Sequence, residues 1–248
     1  MNAAFRKGIR HGIPIALGYL GVSFAFGMKA VATGLTVVQA VLISLTNLTS
    51  AGQVAALPLM AGGASLAEMA LTQLTINLRY ALMSLSLGRK LDGTMGTLQR
   101  MVFSFANTDE IFAVASSQPE KVGKVYLYGL MLTPILGWSA GTLLGAAAGT
   151  LLPEFVRSAL GIAIYGMFLA IILPPARRQK PVRAVVAAAA VLSVCFRYVP
   201  GLNRLSPGFA IIICSVAAAA LLTENVASTP FSSSSSLIFG RSRSSAAR

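Results

Sequence analysis

With 248 residues, 55% of them hydrophobic and 11% charged, the chain has the composition of a membrane protein. In soluble domains about a quarter of all residues are charged. The net charge of +13 does not indicate nucleic-acid binding, because the basic residues are collected in short connections between apolar segments. The single histidine, His11, excludes a Ser-His or Cys-His catalytic centre and argues against a His/Cys metal cluster. We therefore expect no enzyme activity, no cofactor and no metal site.

Hydrophobic segments follow one another almost without gaps along the chain. They predict an all-α fold, a polytopic membrane helical bundle with about six to eight hydrophobic segments. Residues 1–225 are expected to form a single transmembrane domain, and residues 226–248 a Ser/Arg-rich disordered tail. The segments are placed at 13–34, 36–62, 64–87, 101–118, 125–151, 155–175, 183–199 and 206–223.

Basic residues mark one side of the membrane. Short loops rich in Lys and Arg stay in the cytoplasm, so we expect five basic clusters to share that side. The clusters are Arg6, Lys7 and Arg10; Arg89, Lys90 and Arg100; Lys121 and Lys124; Arg177, Arg178, Lys180 and Arg183; and Arg241, Arg243 and Arg248 of the tail. This arrangement requires that two of the eight segments enter and leave the membrane on the same face.

Segments 36–62 and 101–118 are the candidates for such broken or re-entrant helices, because each is polar at its centre. The polar residues are Thr46, Asn47, Thr49, Ser50, Gly52 and Gln53 in the first segment, and Ser104, Asn107, Thr108, Asp109 and Glu110 in the second. Broken helices occur in membranes only where protein or a water-filled cavity covers the freed backbone groups. Both polar centres are therefore expected inside the bundle.

Both polar centres also carry signals for the start of a new helix. Ser50 followed by Gln53 fits a capping box, in which serine caps the helix and glutamine bonds back to the backbone. Asn107 fits an N-cap that precedes two carboxylates in the first turn. A half-helix starting near mid-membrane directs backbone N–H groups into the bundle, where transporters bind anionic substrate groups. The alternative is that both stretches are polar kinks packed inside the bundle.

Segment 64–87 places an arginine near the middle of a length that spans a membrane. A charge there costs about 3 kcal/mol or more, so Arg79 must pair with another group or bind a ligand. At 100° per residue, polar side chains form two stripes on nearly opposite faces, which predicts a central helix. One stripe contains Glu68, Thr72, Thr75, Arg79 and Ser86, and the other contains Gln73, Asn77, Tyr80 and Ser84. Arg79 is expected to pair with Asp109 or Glu110, or to bind a carboxylate, because a guanidinium suits both roles.

Segment 125–151 carries glycine at every fourth position from Gly137 to Gly149. Such a ladder of small residues lets two membrane helices approach closely. We expect packing within the same chain, with a partner subunit or a sliding surface as alternatives. The run from Pro14 to Tyr19 is similar to the run from Pro134 to Trp138. Either an internal repeat or the chance recurrence of short Pro/Gly motifs in membrane segments explains the similarity.

Several motifs in order resemble the AzlC family, the large subunit of branched-chain amino-acid exporters. The family's opening is similar to Gly12–Tyr19 followed by Ser23–Gly27. Asn47–Gln53 is similar to the family's polar segment. Asn77–Tyr80 with Ser84–Ser86 is similar to the family's most recognisable signature, and Thr108–Glu110 with Phe112 is similar to the signature that follows it.

The resemblance implies a multi-pass permease of a prokaryotic plasma membrane that exports branched-chain or similar small apolar amino acids. It also implies a small AzlD-type membrane protein as partner. The candidate substrate-binding residues are Asn47, Ser50, Gly52, Gln53, Asn77, Arg79, Tyr80, Asn107, Asp109 and Glu110. A non-transporting scaffold or regulatory subunit, and a channel for another small solute, remain as alternative functions.

Overall fold

The structure is a computed structural model that describes residues 2–227. Its described part consists of helices and connections, without a β-strand, as the predicted all-α class requires. The helices are α1 (Ala3–Ala32), α2 (Val37–Thr46), α3 (Ala51–Ala61), α4 (Leu66–Gly88), α5 (Thr97–Phe105), α6 (Asp109–Ser116), α7 (Lys124–Ala148), α8 (Glu154–Arg178), α9 (Lys180–Tyr198) and α10 (Pro207–Ala227). The predicted tail at 226–248 lies almost wholly outside the described residues, so the division into domain and tail stays a prediction.

Helix α1 begins about three turns before the predicted apolar segment. Asn2 caps it by accepting a hydrogen bond from the backbone N–H of Ala4, at 3.0 Å. The helix therefore includes the basic residues Arg6, Lys7 and Arg10. Hydrophobicity marks only the apolar part of a helix, whereas the cap marks where the helix starts.

Helices α1 and α7 run parallel and pack along most of their length. Gly12 of α1 lies against the backbone of Leu130, while Gly141 and Gly145 of α7 lie against Leu20 and Phe24 of α1. The residue numbers of the contacting positions increase in the same direction along both helices, so the helices are parallel. The glycine ladder therefore packs within the chain, as predicted, because glycine lets two backbones touch.

Two of the predicted segments are each divided into two helices. The first breaks at residues 47–50 between α2 and α3, and the second at 106–108 between α5 and α6. Ala40 of α2 and Leu57 of α3 share a hydrophobic cluster with Ala30, near the end of α1. Each pair of helices is thus a hairpin that starts and ends at the same end of the bundle.

The second hairpin returns to the opposite end of the bundle from the first. Met95 precedes α5, Ala115 lies near the end of α6, and both share a cluster with Tyr126 at the start of α7. The arrangement follows the pattern proposed from the basic loops. A re-entrant path through a membrane stays a prediction, because the structure contains no bilayer.

Three of the predicted basic clusters lie at one end of the bundle. Lys7 is placed over the ring of Tyr126, with Nζ 5.8 Å from the centroid. Leu91 and Val122 form an isolated parallel β-bridge, which joins the 88–100 and 118–124 connections. The N-terminus and both connections are therefore neighbours, as the charge pattern predicts.

Four helices of the described chain are long and apolar enough to cross a membrane: α1, α7, α8 and α9. Helix α4, with 23 residues, is about 35 Å long and also has the necessary length. One side of α4 is apolar and exposed, as expected for a surface that faces lipid or another protein. Its exposed leucines are Leu71, Leu74, Leu78, Leu82 and Leu85.

Candidate functional site

The breaks of the two hairpins meet near the middle of the bundle. Leu48, in the first break, and Ala106, in the second, share a hydrophobic cluster with Tyr19 of α1 and Trp138 of α7. The two aromatic rings meet edge to face, with centroids 5.3 Å apart. The predicted similarity around Tyr19 and Trp138 thus corresponds to a spatial pair that supports both breaks.

One polar stripe of α4 contacts both breaks. Gln73 donates to the carbonyl of Gly52 at 2.9 Å, and the Tyr80 hydroxyl lies 3.4 Å from the carbonyl of Thr49. Ser84 accepts a bond from Asn107 Nδ2 at 3.2 Å. Side chains of α4 thus satisfy backbone and amide groups near both breaks, but only Glu68, Thr72 and Leu87 of this helix are buried, so its central position stays a prediction.

Arg79, on the other stripe, forms an ion pair with Asp109 at 2.5 Å between Nη1 and Oδ2. Its Nη2 donates to the Tyr80 hydroxyl at 3.2 Å, and the guanidinium lies 4.9 Å from the centroid of the Tyr80 ring. The Arg79 side chain remains 38% exposed. The pair therefore neutralises one mid-helix charge while leaving guanidinium donors accessible.

Glu110 has a different environment from Asp109. Its Oε2 lies 2.5 Å from the Tyr19 hydroxyl, which is also 2.6 Å from Thr108 Oγ1. Within residues 2–227 Glu110 takes part in no ion pair. The two neighbouring carboxylates thus have different partners: Asp109 contacts the Arg79 cation, whereas Glu110 contacts the Tyr19 hydroxyl, which also contacts Thr108.

The predicted cap of α6 is wrong by one residue. Thr108 is the N-cap and accepts from the N–H of Ile111 at 3.4 Å, so the helix begins at Asp109. Asn107 is instead directed towards Ser84 of α4. Both carboxylates lie in the first turn, as predicted, where they interact favourably with the positive end of the helix dipole.

The predicted capping box at Ser50 is also absent. Ser50 occupies the N-cap position of α3 but makes no capping bond, and its φ of 39° is the one positive value of a described non-glycine residue. Gln53 is fully buried and donates to Ser44 at 3.3 Å, and Ser44 lies 2.7 Å from Thr142 of α7. Tertiary packing of Gln53 against α2 and α7 has replaced the local bond to the backbone.

Three buried amide oxygens near the breaks have no hydrogen-bond partner in the described part of the chain. They are Gln53 Oε1, Asn77 Oδ1 and Asn107 Oδ1. An unsatisfied buried polar group costs about 1–3 kcal/mol. These oxygens are acceptors without a described partner, and the exposed Arg79 guanidinium offers donors, so the region holds groups of both kinds that a ligand can satisfy.

The structure brings most of the ten predicted residues into this region. Asn47 accepts from the Thr49 hydroxyl at 2.7 Å, Gly52 lies tightly against Gln73 and Asn77, and Asn77 donates to Gln73 at 3.1 Å. Gln53 contacts Ser44 rather than α4, and Ser50 lies at the break without a capping bond. All ten assignments to substrate binding remain predictions.

Sequence reasoning omitted several residues that complete the arrangement. Thr49 and Gln73 take part in contacts at the first break, while Tyr19 contacts both Glu110 and Thr108. Thr49 and Thr108 belong to the polar centres and Gln73 to a polar stripe, so their signal was present. Tyr19 stands in an otherwise apolar stretch of helix, so the sequence gives no comparable signal for it.

The described residues define a polytopic α-helical membrane protein in which two broken hairpins meet at a polar centre around an Arg–Asp pair. A family model described as AzlC protein matches residues 14–152, which include the hairpins, α4 and α7. The chain belongs to the AzlC family. No solved structure matches it.

Relatives of the chain are named as membrane proteins. An "Uncharacterized membrane protein" of Archaeoglobus fulgidus is 34% identical over 77% of this chain and 84% of that relative. "Inner membrane protein YgaZ" of Escherichia coli is 27% identical over 77% of this chain and 81% of its own length. "Branched-chain amino acid transport protein AzlC" of Bacillus subtilis is 24% identical over 66% of this chain and 67% of its own length.

Proposed function

We propose that this protein is a permease that exports branched-chain or similar small apolar amino acids across a prokaryotic plasma membrane. The observation that carries the proposal is the exposed Arg79 guanidinium, paired with Asp109 at the second break, together with open amide oxygens near both breaks. Membrane transporters bind substrates at such interrupted helices. The name of the Bacillus subtilis relative supports the same class of substrate.

A zwitterionic amino acid matches this environment in charge and hydrogen bonding. Its carboxylate would bind the free N–H groups of Arg79, in competition with Asp109, because a guanidinium binds carboxylates in a planar fork. Its ammonium group would donate to Asn77 Oδ1 and Asn107 Oδ1, which have no partner among the described residues. A neutral amino acid therefore satisfies groups of both kinds without adding net charge.

We further propose that the chain works with a small AzlD-type membrane protein. The exposed leucines of α4, from Leu71 to Leu85, offer an apolar face next to the polar centre. A small membrane protein packed there would lie against the helix that carries Arg79. The family resemblance supplies the kind of partner, and the exposed face supplies room for it.

Reconstitution with radiolabelled leucine tests the proposed function. Vesicles containing the chain and an AzlD-type subunit should exchange leucine, and the rate should saturate with concentration because a carrier has a finite number of sites. Arg79→Ala should abolish exchange. Leu136→Ala, which changes an exposed side chain of α7 outside the leucine face of α4, is the control and should exchange normally.

The alternative functions give different results in the same vesicles. A non-transporting scaffold would give no flux in any combination of subunits. A channel would give flux that rises linearly with concentration, since no site limits it. Either result would contradict the carrier proposal.

A further inference from the structure

The charges at the centre of the bundle do not balance. Arg79, Asp109 and Glu110 together carry one excess negative charge when all three are ionised. Arg79 is committed to Asp109, at 2.5 Å, and within residues 2–227 no ion pair includes Glu110. A zwitterionic substrate brings no net charge, so it leaves this excess in place. An additional cation at Glu110 would remove it.

Glu110 also faces apolar surroundings. It lines a groove of about 350 Å³ along α1, together with Ile15, Val22 and Met167. Burying an ionised carboxylate against apolar groups is costly, whereas a neutral carboxylic acid is tolerated. A proton is therefore the cation that suits this position.

The hydroxyl groups around Glu110 can satisfy both of its protonation states. The Tyr19 hydroxyl lies 2.5 Å from Glu110 and 2.6 Å from Thr108, but it has a single hydrogen to donate. With Glu110 ionised, Tyr19 donates to Glu110 and Thr108 donates to Tyr19. With Glu110 protonated, the carboxyl donates to Tyr19 and Tyr19 donates to Thr108. Reversing two hydroxyl groups accommodates the proton without moving a heavy atom.

From this geometry we propose that Glu110 is the proton-binding residue of the carrier, taking up one proton on one side of the membrane and releasing it on the other. Asp109 differs from Glu110 in being the ion-pair partner of Arg79. The link between proton binding and amino-acid export rests on the proposed function. Proton binding itself can be measured without any substrate.

The other groups that act on Glu110 come from three helices. Helix α1 contributes Tyr19, α4 contributes Arg79 and Tyr80, and α6 contributes Asp109. Trp138 of α7 and Met167 of α8 do not titrate. His11 lies about two turns from Tyr19 along α1 and bonds to Tyr126, at 2.9 Å. Asp109, the residue before Glu110, is paired with Arg79, so these two charges neutralise each other.

Infrared difference spectroscopy of the purified protein in lipid tests the proton site directly. The band of a protonated carboxyl group should appear as pH falls, disappear in Glu110→Gln and persist in Glu120→Gln, a control at an exposed carboxylate outside the polar centre. In Tyr19→Phe the band should shift in frequency, because the acid loses its hydrogen-bond partner. A band that persists in Glu110→Gln, or that is absent from the unaltered protein, would overturn the proposal.

Transport driven by imposed gradients then separates this inference from the proposed function. In vesicles containing the unaltered protein, a pH gradient should raise the accumulated leucine several-fold above its equilibrium level. Vesicles containing Glu110→Gln should show no such accumulation. Accumulation is compared after division by the leucine exchange rate of the same variant. Accumulation driven by a sodium gradient instead would overturn proton coupling. A titrating Glu110 band without any leucine exchange would support the proton site and contradict the substrate assignment.

Discussion

At the scale of single residues, the central observation is that two adjacent carboxylates have different partners. Asp109 and Glu110 both occupy the first turn of α6, yet one contacts Arg79 and the other contacts Tyr19. Adjacent helical residues point about 100° apart, so they reach different neighbouring helices. The sequence pattern left open which carboxylate pairs with Arg79, and the packing of α6 between α1 and α4 selects Asp109.

The role of Arg79 can be tested by removing both members of its ion pair. Arg79→Ala alone leaves Asp109 without its cation, so efflux of leucine is expected to cease whether Arg79 neutralises or binds. The double variant Arg79→Gln with Asp109→Asn has no unpaired charge. We expect it to remain inactive, because the guanidinium that binds the substrate carboxylate is missing. Membrane insertion, measured by the yield of the variant in membranes, is the control.

Recovery of efflux in that double variant would show that Arg79 only neutralises Asp109. Full efflux in Arg79→Ala alone would remove Arg79 from both roles. A single amide variant, Asp109→Asn, completes the cycle by testing whether the arginine tolerates a neutral partner.

A second prediction concerns Glu68, whose buried carboxylate accepts bonds from the Ser206 hydroxyl and from the N–H of Gly208, the latter at 3.1 Å. These contacts hold the start of α10 against α4. Glu68→Ala leaves the N–H of Gly208 without an acceptor, so we expect a loss of stability of about 1–3 kcal/mol. A thermal unfolding assay in detergent measures it, with the exposed Glu120→Ala as control. Equal melting temperatures for the two variants would contradict this role.

At the scale of secondary-structure elements, the parallel pair α1 and α7 is the framework that holds both hairpins. Tyr19 and Trp138 come from these two helices and support both breaks. Backbone contact at Gly12, Gly141 and Gly145 brings the helices close enough for the rings to meet. The glycine ladder therefore determines the geometry of the polar centre, although none of its members contacts Arg79.

Adding one methyl group to this interface should destabilise it. A Cβ at Gly145 would collide with the backbone of Phe24, and overpacking of this kind costs about 1–3 kcal/mol. Gly21, on the exposed side of α1, has no atom near its hypothetical Cβ. Gly21→Ala is thus the matched control, and the helix preference of alanine should leave it as stable or more so. Thermal unfolding in detergent should separate the two variants, and similar melting temperatures would argue against tight packing.

The sequence predicted the elements better than their local hydrogen bonds. Hydrophobic length and polar interruptions located the helices and the two breaks, because these depend on the summed properties of many residues. The capping predictions at Ser50 and Asn107 were wrong because a cap depends on a single side chain. In each case a side chain of the predicted capping motif makes a tertiary contact instead: Gln53 bonds to Ser44, and Asn107 bonds to Ser84. The role of Tyr19 depends on its distance to α6, which no local pattern contains.

At the scale of the whole molecule, the parallel course of α1 and α7 constrains the path of the chain between them. Three elements connect the end of α1 to the start of α7: two hairpins, whose ends lie together, and the single helix α4. If α4 crosses the membrane and the hairpins do not, α7 starts on the same side as α1. This count agrees with the contact between Lys7 and Tyr126, which places both helix starts at one end.

The topology predicts that both chain termini and the connections at 88–100, 118–124 and 176–183 are cytoplasmic. Basic residues are concentrated there, and 15 of the 20 lysines and arginines belong to the five clusters. Single cysteines at Gly93 and Gln179, in a variant with Cys195 and Cys214 replaced, should resist a membrane-impermeant thiol reagent added to intact cells. A cysteine at the exposed Asn203, in the connection before α10, should react and serves as the positive control. Reaction at Gly93 from outside would mean that α4 ends on the far side. The two hairpins could not then both be re-entrant, because a parallel α1 and α7 would require a further crossing between them.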